Sequence, residues 1–490
     1  MTTTLTREEE RVIRSVPTEL LIGGQWRPAA SGKTLAVEDP ATGEKLAEVA
    51  DGDATDALAA LEAAHEAQPA WAATPPRQRC EMLRKAFEAC MAKADDLALL
   101  MTLEMGKPVA ESRAEIAYGA EFFRWFSEEG VRVAGAYNVA PGGGSRLVVM
   151  RQPVGPALLI TPWNFPMAMA TRKIGAAVAA GCTMVLKPSE LTPLSALAVT
   201  QVLVDAGLPP GVLNVVNTSD AGSTTAPLMK DARLRKVSFT GSTAVGRKLI
   251  EASADQVLRV SMELGGNAPF LVFADADLDL AVDGAMLAKM RNGGEACTSA
   301  NRFYVQREVA DEFAGRLADR MSGLRVGRGT GEGVAVGPLI SERQRAKVVR
   351  LVDDAVHKGA KAVCGGSAVE GRGYFFDPTV LSPVPENADL LQEEIFGPVA
   401  PVVAFDTEED ALAAANDTQY GLVAYAFTTN LDRAVRVAEG VKSGMVGINL
   451  GVVSNPAAPF GGVKASGIGR EGGREGIEEY LDVKYVAIRA

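Results

Sequence analysis

The chain has 490 residues, enough for two to four domains at roughly 100–200 residues each. Hydrophobic residues at 47% and charged ones at 23% suit a folded globular protein and exclude a disordered one. Sixty-one acidic residues against fifty basic ones give a net charge of −11, which argues against nucleic acid or an anionic membrane as a partner.

Near the start, Glu8-Glu9-Glu10 follows no apolar stretch, so a secretory signal is not expected. Residues 53–129 read mostly as helices, with breaks at Pro69 and Pro75-Pro76; His65 falls on a helix over 57–68 that Pro69 closes. Cys80, Leu83, Phe87 and Cys90 recur at helical spacing, which makes both cysteines core residues. After the turn Pro141-Gly142-Gly143-Gly144, apolar runs at 154–160, 183–186, 212–216, 237–239, 257–262 and 270–273 alternate with helical patterns. The longest apolar run, 174–186, is too short to span a bilayer and ends in Lys187-Pro188. Beyond a helix over 278–291 the alternation resumes at 302–306, 361–364, 399–405, 425–428 and 446–449. This pattern predicts an α/β fold of two domains with parallel sheets, joined near residue 260. At the end, Leu481, Val483, Tyr485 and Ala487 alternate with Asp482, Lys484 and Val486, the pattern of a half-buried strand.

The chain has only two histidines, His65 and His357, and neither neighbours a cysteine or carboxylate cluster or a serine elbow. A Ser-His-Asp relay and a His-ligated metal are therefore not expected, and no metal site is read. Five scattered cysteines without ligand spacing suit a reducing cytoplasm. An enzyme so composed works through carboxylates, thiols, amides and a cofactor.

Five places can carry such chemistry. Gly241 and Gly246 have the spacing of a phosphate-binding Walker loop, but Arg247-Lys248 stands where Lys and Ser/Thr are required. The helix starting near Val245 offers free amides to a phosphate, or the segment is a plain strand-to-helix turn. Lys187-Pro188-Ser189-Glu190 ends a strand where α/β proteins bind ligands; its Lys and Glu suit a ribose diol, or the segment is a solvated turn. Cys297 lies among small residues that let a substrate reach the sulfur. A catalytic thiol needs a helix N-terminus or a nearby cation, since a free thiol of pKa ~8.5 is little ionised at neutral pH; a structural cysteine fits equally. Glu263 leaves an apolar strand beside two glycines, as a desolvated base or a turn residue. Asn164, between Pro162 and Pro166, is an oxyanion donor fixed by a rigid loop, or an Asx-turn residue.

Taken together, Pro162-Trp163-Asn164-Phe165-Pro166, Lys187-Pro188-Ser189-Glu190, Phe239-Thr240-Gly241-Ser242, Glu263-Leu264-Gly265-Gly266, Cys297, Glu393-Glu394-Ile395-Phe396-Gly397-Pro398 and Pro459-Phe460-Gly461-Gly462 closely resemble the NAD(P)-dependent aldehyde dehydrogenases. The likeness runs from about Leu21 to Ile488. Within that family the chain is most similar to succinate-semialdehyde dehydrogenases, through Thr171-Arg172-Lys173, the segment from Gly181 to Pro188, and that from Gly461 to Gly467. The resemblance implies a Rossmann-type cofactor domain over 1–125 and 147–259 and an α/β catalytic domain over 260–445. It further implies a small β oligomerisation element over 126–146 and 470–490, with 446–469 returning to the cofactor domain.

Residue by residue, the resemblance implies Cys297 as nucleophile, Glu263 as base, and Asn164 with the Cys297 amide as oxyanion donors. Lys173 and Glu471 match positions linked to proton movement away from Glu263. Lys187 and Glu190 would hold the adenosine ribose, Ser242 the pyrophosphate, and Glu394 the nicotinamide ribose with Phe396 nearby. Thr161, Pro162, Trp163, Ser189, Thr240, Gly241, Val245 and Leu264 would line the rest of the cofactor site, and Arg172, Arg291 and Ser454 would bind a substrate carboxylate. Two departures stand out: Ser299 replaces a second cysteine common in that sub-family, and Gly294-Glu295 replaces the more usual Gly-Gln.

Succinate semialdehyde is thus the expected substrate, with glutarate or 2-oxoglutarate semialdehyde as alternatives. A non-catalytic relative would have lost Cys297 or Glu263. NAD is expected over NADP, because Glu190 accepts from a ribose diol and repels a 2′-phosphate, though NADP stays possible beside Lys187. Edge strands at 480–488 and 146–151 need pairing, so a homodimer or homotetramer is expected.

Overall fold

The computed structural model describes residues 5–490. Two large sheets organise it. The eight-stranded sheet runs in the order Gly467–Ile468, Arg259–Glu263, Lys236–Thr240, Ala157–Ile160, Met184–Lys187, Leu213–Val215, Leu20–Ile22, Gln25–Arg27. Its five central strands are parallel and its margins antiparallel. Both faces are covered, so strands such as Ala157–Ile160 are buried throughout and read as continuous apolar runs. Helix Ala168–Ala180 is buried at every position and ends at Gly181, whose left-handed φ of 91° turns the chain into strand Met184–Lys187.

The seven-stranded sheet orders Ala362–Cys364, Thr379–Leu381, Val399–Phe405, Ala300–Gln306, Ala268–Val272, Val423–Phe427, Met445–Ile448, parallel except at its first strand. Aromatic rings fill its interior: Phe270 lies 4.8 Å from Phe427 and 5.0 Å from Phe303, centroid to centroid. The chain passes from one large sheet to the other over 264–267, a few residues beyond the expected junction near 260. A third, antiparallel sheet joins Ala136–Val139, Ser145–Pro153 and Leu481–Arg489.

Four expectations need correction. Helix Ala54–Ala73 runs through Pro69, because Trp71 beyond it is buried and anchors the last turn; tertiary packing overrides the missing N–H. Val257, read as the start of a strand, is an exposed turn residue with φ 50°, so the strand begins at Arg259. Strand Leu481–Arg489 is exposed beyond Leu481 rather than half-buried, since it pairs with Ser145–Pro153 alone. Finally, the strands Leu20–Ile22 and Gln25–Arg27 and the hairpin Thr34–Asp39/Glu44–Ala50 went unread in the sequence. Among the described residues no helix is long and apolar enough to cross a membrane, and no group of His, Cys, Asp or Glu could hold a metal ion.

Candidate active site

Helix Leu278–Met290 is followed by a tight turn, Arg291–Gly294, in which Asn292 (φ 55°), Gly293 and Gly294 all have left-handed backbones. A Cβ on Gly294 would lie 2.2 Å from the Gly397 carbonyl, so only glycine fits there. The strained turn delivers Cys297 just ahead of the buried strand Ala300–Gln306. Asn292 is over-determined: its backbone N–H donates to Glu111 (2.5 Å), and its Nδ2 to the carbonyls of Asn164 (2.9 Å) and Glu295 (3.0 Å).

Asn164 Nδ2 donates to the Glu295 carbonyl (3.0 Å), which fixes the amide two residues from the sulfur. The flanking prolines do not hold it alone. Lys107 Nζ donates to the Asn164 carbonyl (2.8 Å) and pairs with Glu115 (2.6 Å), and Glu115 accepts from the N–H groups of Met167 and Ala168. The sequence reading missed Lys107 and Glu115; their signal was two charges spaced among residues that pack inward.

Burial pushes the half-buried Cys297 thiol up to about 12; Arg172 and Arg291 oppose this, while Glu394 and Glu263 add to it. The cation that the sequence argument asked for is therefore present and outweighed. The resting sulfur is a thiol, and attack needs a base.

Glu263 ends the strand Arg259–Glu263. Gly266, three residues on, would place a Cβ 2.3 Å from the Cys297 carbonyl, so its missing side chain lets the Cys297 loop pack against the Glu263 turn. Burial, and then the charge of Glu471, hold the Glu263 carboxyl well above the usual range, against Lys173 and Arg172; its Oε2 has no hydrogen-bond partner. Glu471 goes the other way: burial works to raise it, but Lys173 and Arg172 outweigh burial and keep it ionised. Lys173 Nζ donates to Glu471 and to Ser238 Oγ (3.0 Å).

Arg172 donates to Glu471 (3.3 Å) and to the Tyr118 hydroxyl (2.8 Å), with its guanidinium 4.5 Å from the Phe460 ring centroid. Arg291 lies over Phe165 (5.0 Å) and Tyr118 (5.6 Å). Tyr118, unread in the sequence, thus touches both arginines. Ser454 is half-buried on the irregular stretch after strand Met445–Ile448 and bonds to neither.

Most of the remaining residues gather at the carboxyl ends of parallel strands, while Glu394 and Phe396 stand just ahead of strand Val399–Phe405. Thr161 N–H donates to the Lys187 carbonyl (3.1 Å), and Trp163, next to Pro162, meets the edge of Phe396 at 5.3 Å. Lys187 Nζ reaches Glu190 at 3.4 Å, and burial pushes its ammonium down; Ser189 Oγ accepts from Leu191 N–H. Helix Thr243–Ser253 starts two residues earlier than expected, capped by Ser242, which accepts from Val245 N–H (3.4 Å). A Cβ on Gly241 would lie 2.5 Å from the Phe239 ring, and one on Gly246 2.3 Å from Leu264. The helix N-terminus therefore sits tight on the sheet with an open turn before it, and Thr240 Oγ1 is buried there without a partner. Such a cradle fits the phosphates of a dinucleotide. Glu394 Oε1 accepts from Gly266 N–H (3.0 Å), and burial pushes its carboxyl up to about 7 against that bond and the charges of Lys347 and Lys289. Phe396 holds a left-handed φ of 57°, secured by Gln344 Nε2 donating to its carbonyl (2.6 Å).

The model of the aldehyde dehydrogenase family matches residues 26–486. The chain belongs to the aldehyde dehydrogenase family. It is thus an oxidoreductase that oxidises an aldehyde with NAD(P). This aldehyde dehydrogenase is 60% identical over 443 residues to a succinate-semialdehyde dehydrogenase of Paenarthrobacter nicotinovorans, covering 90% of this chain and 98% of that one. It is 50% identical over 469 residues to a glutarate-semialdehyde dehydrogenase of Pseudomonas putida, covering 95% and 97%. A crystal structure described as an Escherichia coli NADP-dependent enzyme superposes with a TM-score of 0.96 at 50% identity, over 97% of this chain and 99% of that one.

Proposed function

We propose that this aldehyde dehydrogenase oxidises succinate semialdehyde to succinate. The observation that carries the reading is the pair Arg172 and Arg291 set against Tyr118, with both charges acting on the Cys297 thiol. A guanidinium grips a carboxylate bidentately, so an aldehyde with a carboxylate at its far end is oriented toward the sulfur. Ser454 adds a hydroxyl to the same pocket.

The bound nicotinamide cofactor supplies a hydride acceptor. Lys187 and Glu190 hold its adenosine ribose, Ser242 and the helix N-terminus its pyrophosphate, and Glu394 its nicotinamide ribose. Thr161, Pro162, Trp163, Ser189, Thr240, Gly241, Val245, Leu264 and Phe396 line the remainder. Glu190 favours NAD over NADP by repelling a 2′-phosphate, and Lys187 moderates that preference.

Cys297 attacks the aldehyde as Glu263 removes the thiol proton, giving a thiohemiacetal. Its oxyanion is held by Asn164 Nδ2 and the Cys297 N–H, and the electron-rich carbon then releases its hydrogen as hydride. Lys173 with Glu471 moves the thiol proton on, which frees Glu263 to deprotonate the water that cleaves the thioester; the C–S electron pair stays on Cys297, which regains a proton as the carboxylate leaves.

Glutarate semialdehyde is the second reading, favoured by the 50% identity to an enzyme of that name; one methylene shifts discrimination by only ~1–3 kcal/mol. Five free cysteines suit a reducing cytoplasm, and strand Leu481–Arg489 suits pairing into a homodimer or homotetramer. The decisive experiment compares ω-carboxy aldehydes of increasing length with butanal, using both cofactors. Arg172→Ala and Arg291→Ala should each raise KM for the carboxylated substrates by roughly tenfold or more; Arg291→Ala should leave butanal nearly unaffected, whereas Arg172→Ala, which also removes a partner of Glu471, should slow both. A wild type that prefers butanal would overturn the reading.

A further inference from the structure

Behind Asn164, three segments of chain close on one buried carboxyl. Glu295 is only 1% exposed. Its backbone carbonyl is the common acceptor for the side-chain amides of Asn164 and Asn292 (each 3.0 Å), and Asn292 Nδ2 also donates to the Asn164 carbonyl (2.9 Å). Its side chain turns the other way: Oε1 accepts from the Ile340 N–H (3.1 Å), just ahead of helix Glu342–His357. Glu295 thus ties the Cys297 loop to Asn164 on one side and to the segment entering that helix on the other. An amide of the same size would accept the same bond from Ile340. This chain carries an acid there instead.

The surroundings do not suit a carboxylate. Lys107 is the one charge that acts on Glu295. Two of its three ammonium donors are already committed, to Glu115 (2.6 Å) and to the Asn164 carbonyl (2.8 Å). Helix Val109–Glu129 brings both Glu115 and Glu111, which accepts from the Asn292 N–H and feels Arg291. On the far side, the segment from Val336 to Ile340 carries no charge. Three carboxyls therefore crowd one buried ammonium. The cavity that Glu295 and Lys107 line, with Val336, Pro338 and Phe376, measures about 10 Å³, room for one water at most. One N–H and one water do not replace the hydration shell of an ion. Burial accordingly holds the Glu295 carboxyl well above the usual range, against the Ile340 bond and the charge of Lys107.

We propose that Glu295 is a positioning residue that works as a protonated acid, on the reading above that Asn164 is an oxyanion donor. While Glu295 is neutral, Lys107 stays on the Asn164 carbonyl and the donor amide keeps its place. In alkaline solution the carboxyl O–H breaks, its proton passes to bulk hydroxide, and a new negative charge lays claim to Lys107. Of the two bonds that Lys107 makes, the one to the neutral Asn164 carbonyl is weaker than the charged pair with Glu115, so it yields first. Asn164 then loses a fixing bond at its backbone, and its amide moves from the position that holds the oxyanion. Glu263 and Glu295 thereby pull in opposite senses: the first must lose its proton to act, and the second must keep it. Activity is confined to the window between them.

The test compares kcat of wild type and Glu295→Gln from about pH 6 to about pH 10, with whichever aldehyde the wild type oxidises best, so that the choice of substrate is not at stake. The Gln side chain accepts the Ile340 bond and cannot ionise. The two enzymes should agree within about twofold near neutrality. At the alkaline end wild type should fall behind by roughly tenfold or more, part of the 10²–10³-fold that removing an oxyanion donor costs. Thermal denaturation gives a second reading without turnover. An acid that is neutral in the fold and ionised when unfolded lowers stability as pH rises from the ordinary glutamate range toward its folded value. The Tm of Glu295→Gln should therefore exceed that of wild type by a margin that widens over that range. Parallel pH profiles, a margin that does not widen, or a Gln variant inactive at every pH would overturn the proposal. Asn164→Ala with unchanged kcat would remove instead the oxyanion role on which it rests.

Discussion

The two large sheets solve different problems with the same parallel architecture. In the seven-stranded sheet, stacked and tilted rings of Phe270, Phe303, Tyr425 and Phe427 fill the interior, and the residues proposed for chemistry lie in loops that lead into its inner strands, above all the loop before Ala300–Gln306. That loop holds Cys297 through left-handed backbone at Asn292 and two glycines. In the eight-stranded sheet the strands themselves carry the site: Glu263 is a strand's last residue, and the polar side chains of Lys236, Ser238 and Ser261 run down the buried face behind it. The proposed nucleophile is thus placed by strain that surrounding bonds over-determine, while the proposed base is placed by regular pairing. A strand end gives a carboxylate a fixed, desolvated position, and a loop gives a sulfur the approach that a pleated strand would block.

This contrast can be broken most severely at the loop. Cys297→Ala should lower kcat by about 10⁴-fold or more while NAD binding, read by calorimetry, stays near wild type. Retained binding shows that the strand-borne cofactor site is independent of the loop. Next in size is Glu263→Gln, with an expected loss of about 10²–10⁴-fold and an acyl adduct on Cys297 visible by mass spectrometry after one equivalent of NADH. The base must be ionised to work, and burial with Glu471 nearby raises its proton affinity. Hydrolysis of the thioester should therefore rise with pH through a midpoint above the usual glutamate range, and that rising limb should vanish in Glu263→Gln. A midpoint at or below an ordinary glutamate's would refute the burial argument. The smallest effect on activity should come from the apolar sheet: Phe270→Ala should cost ~3–5 kcal/mol of stability, lowering the denaturation temperature, with kcat at low temperature close to wild type. A matching collapse of kcat would mean that the aromatic interior also sets the geometry of the loop.

The central strands of both sheets were legible because burial on two faces makes them unbroken apolar runs, whereas marginal ones such as Thr379–Leu381 and Gly467–Ile468 were not. Glu263, Asn164 and Cys297 each stood at the end of such a run or in a small-residue loop, so their positions were visible while their roles came from the resemblance. The short strands Leu20–Ile22 and Gln25–Arg27 escaped because three residues do not establish a period. Pro69 misled because a local stop signal was weighed without Trp71, whose burial depends on distant residues. Lys107, Glu115 and Tyr118 escaped because their partners lie 57, 52 and 54 positions away in the chain. Lys236, Ser238 and Ser261 did have a signal, polar residues two apart inside apolar strands, which an average over the run conceals.

One stretch of chain after residue 459 touches nearly every part of the reaction centre. Phe460 stacks on Arg172, Gly461 leaves room for the Glu263 carboxyl, Gly467–Ile468 closes the sheet beside it, and Glu471 follows. A premature stop codon or a proteolytic clip there would keep all seven strands of one sheet and seven of the eight in the other. The cysteine and the proposed cofactor cradle would survive in such a truncated product, and the surroundings that raise the proton affinity of Glu263 would not. For a heritable variant, the codons for residues 460–490 therefore weigh on activity far more than their small share of the hydrophobic core suggests.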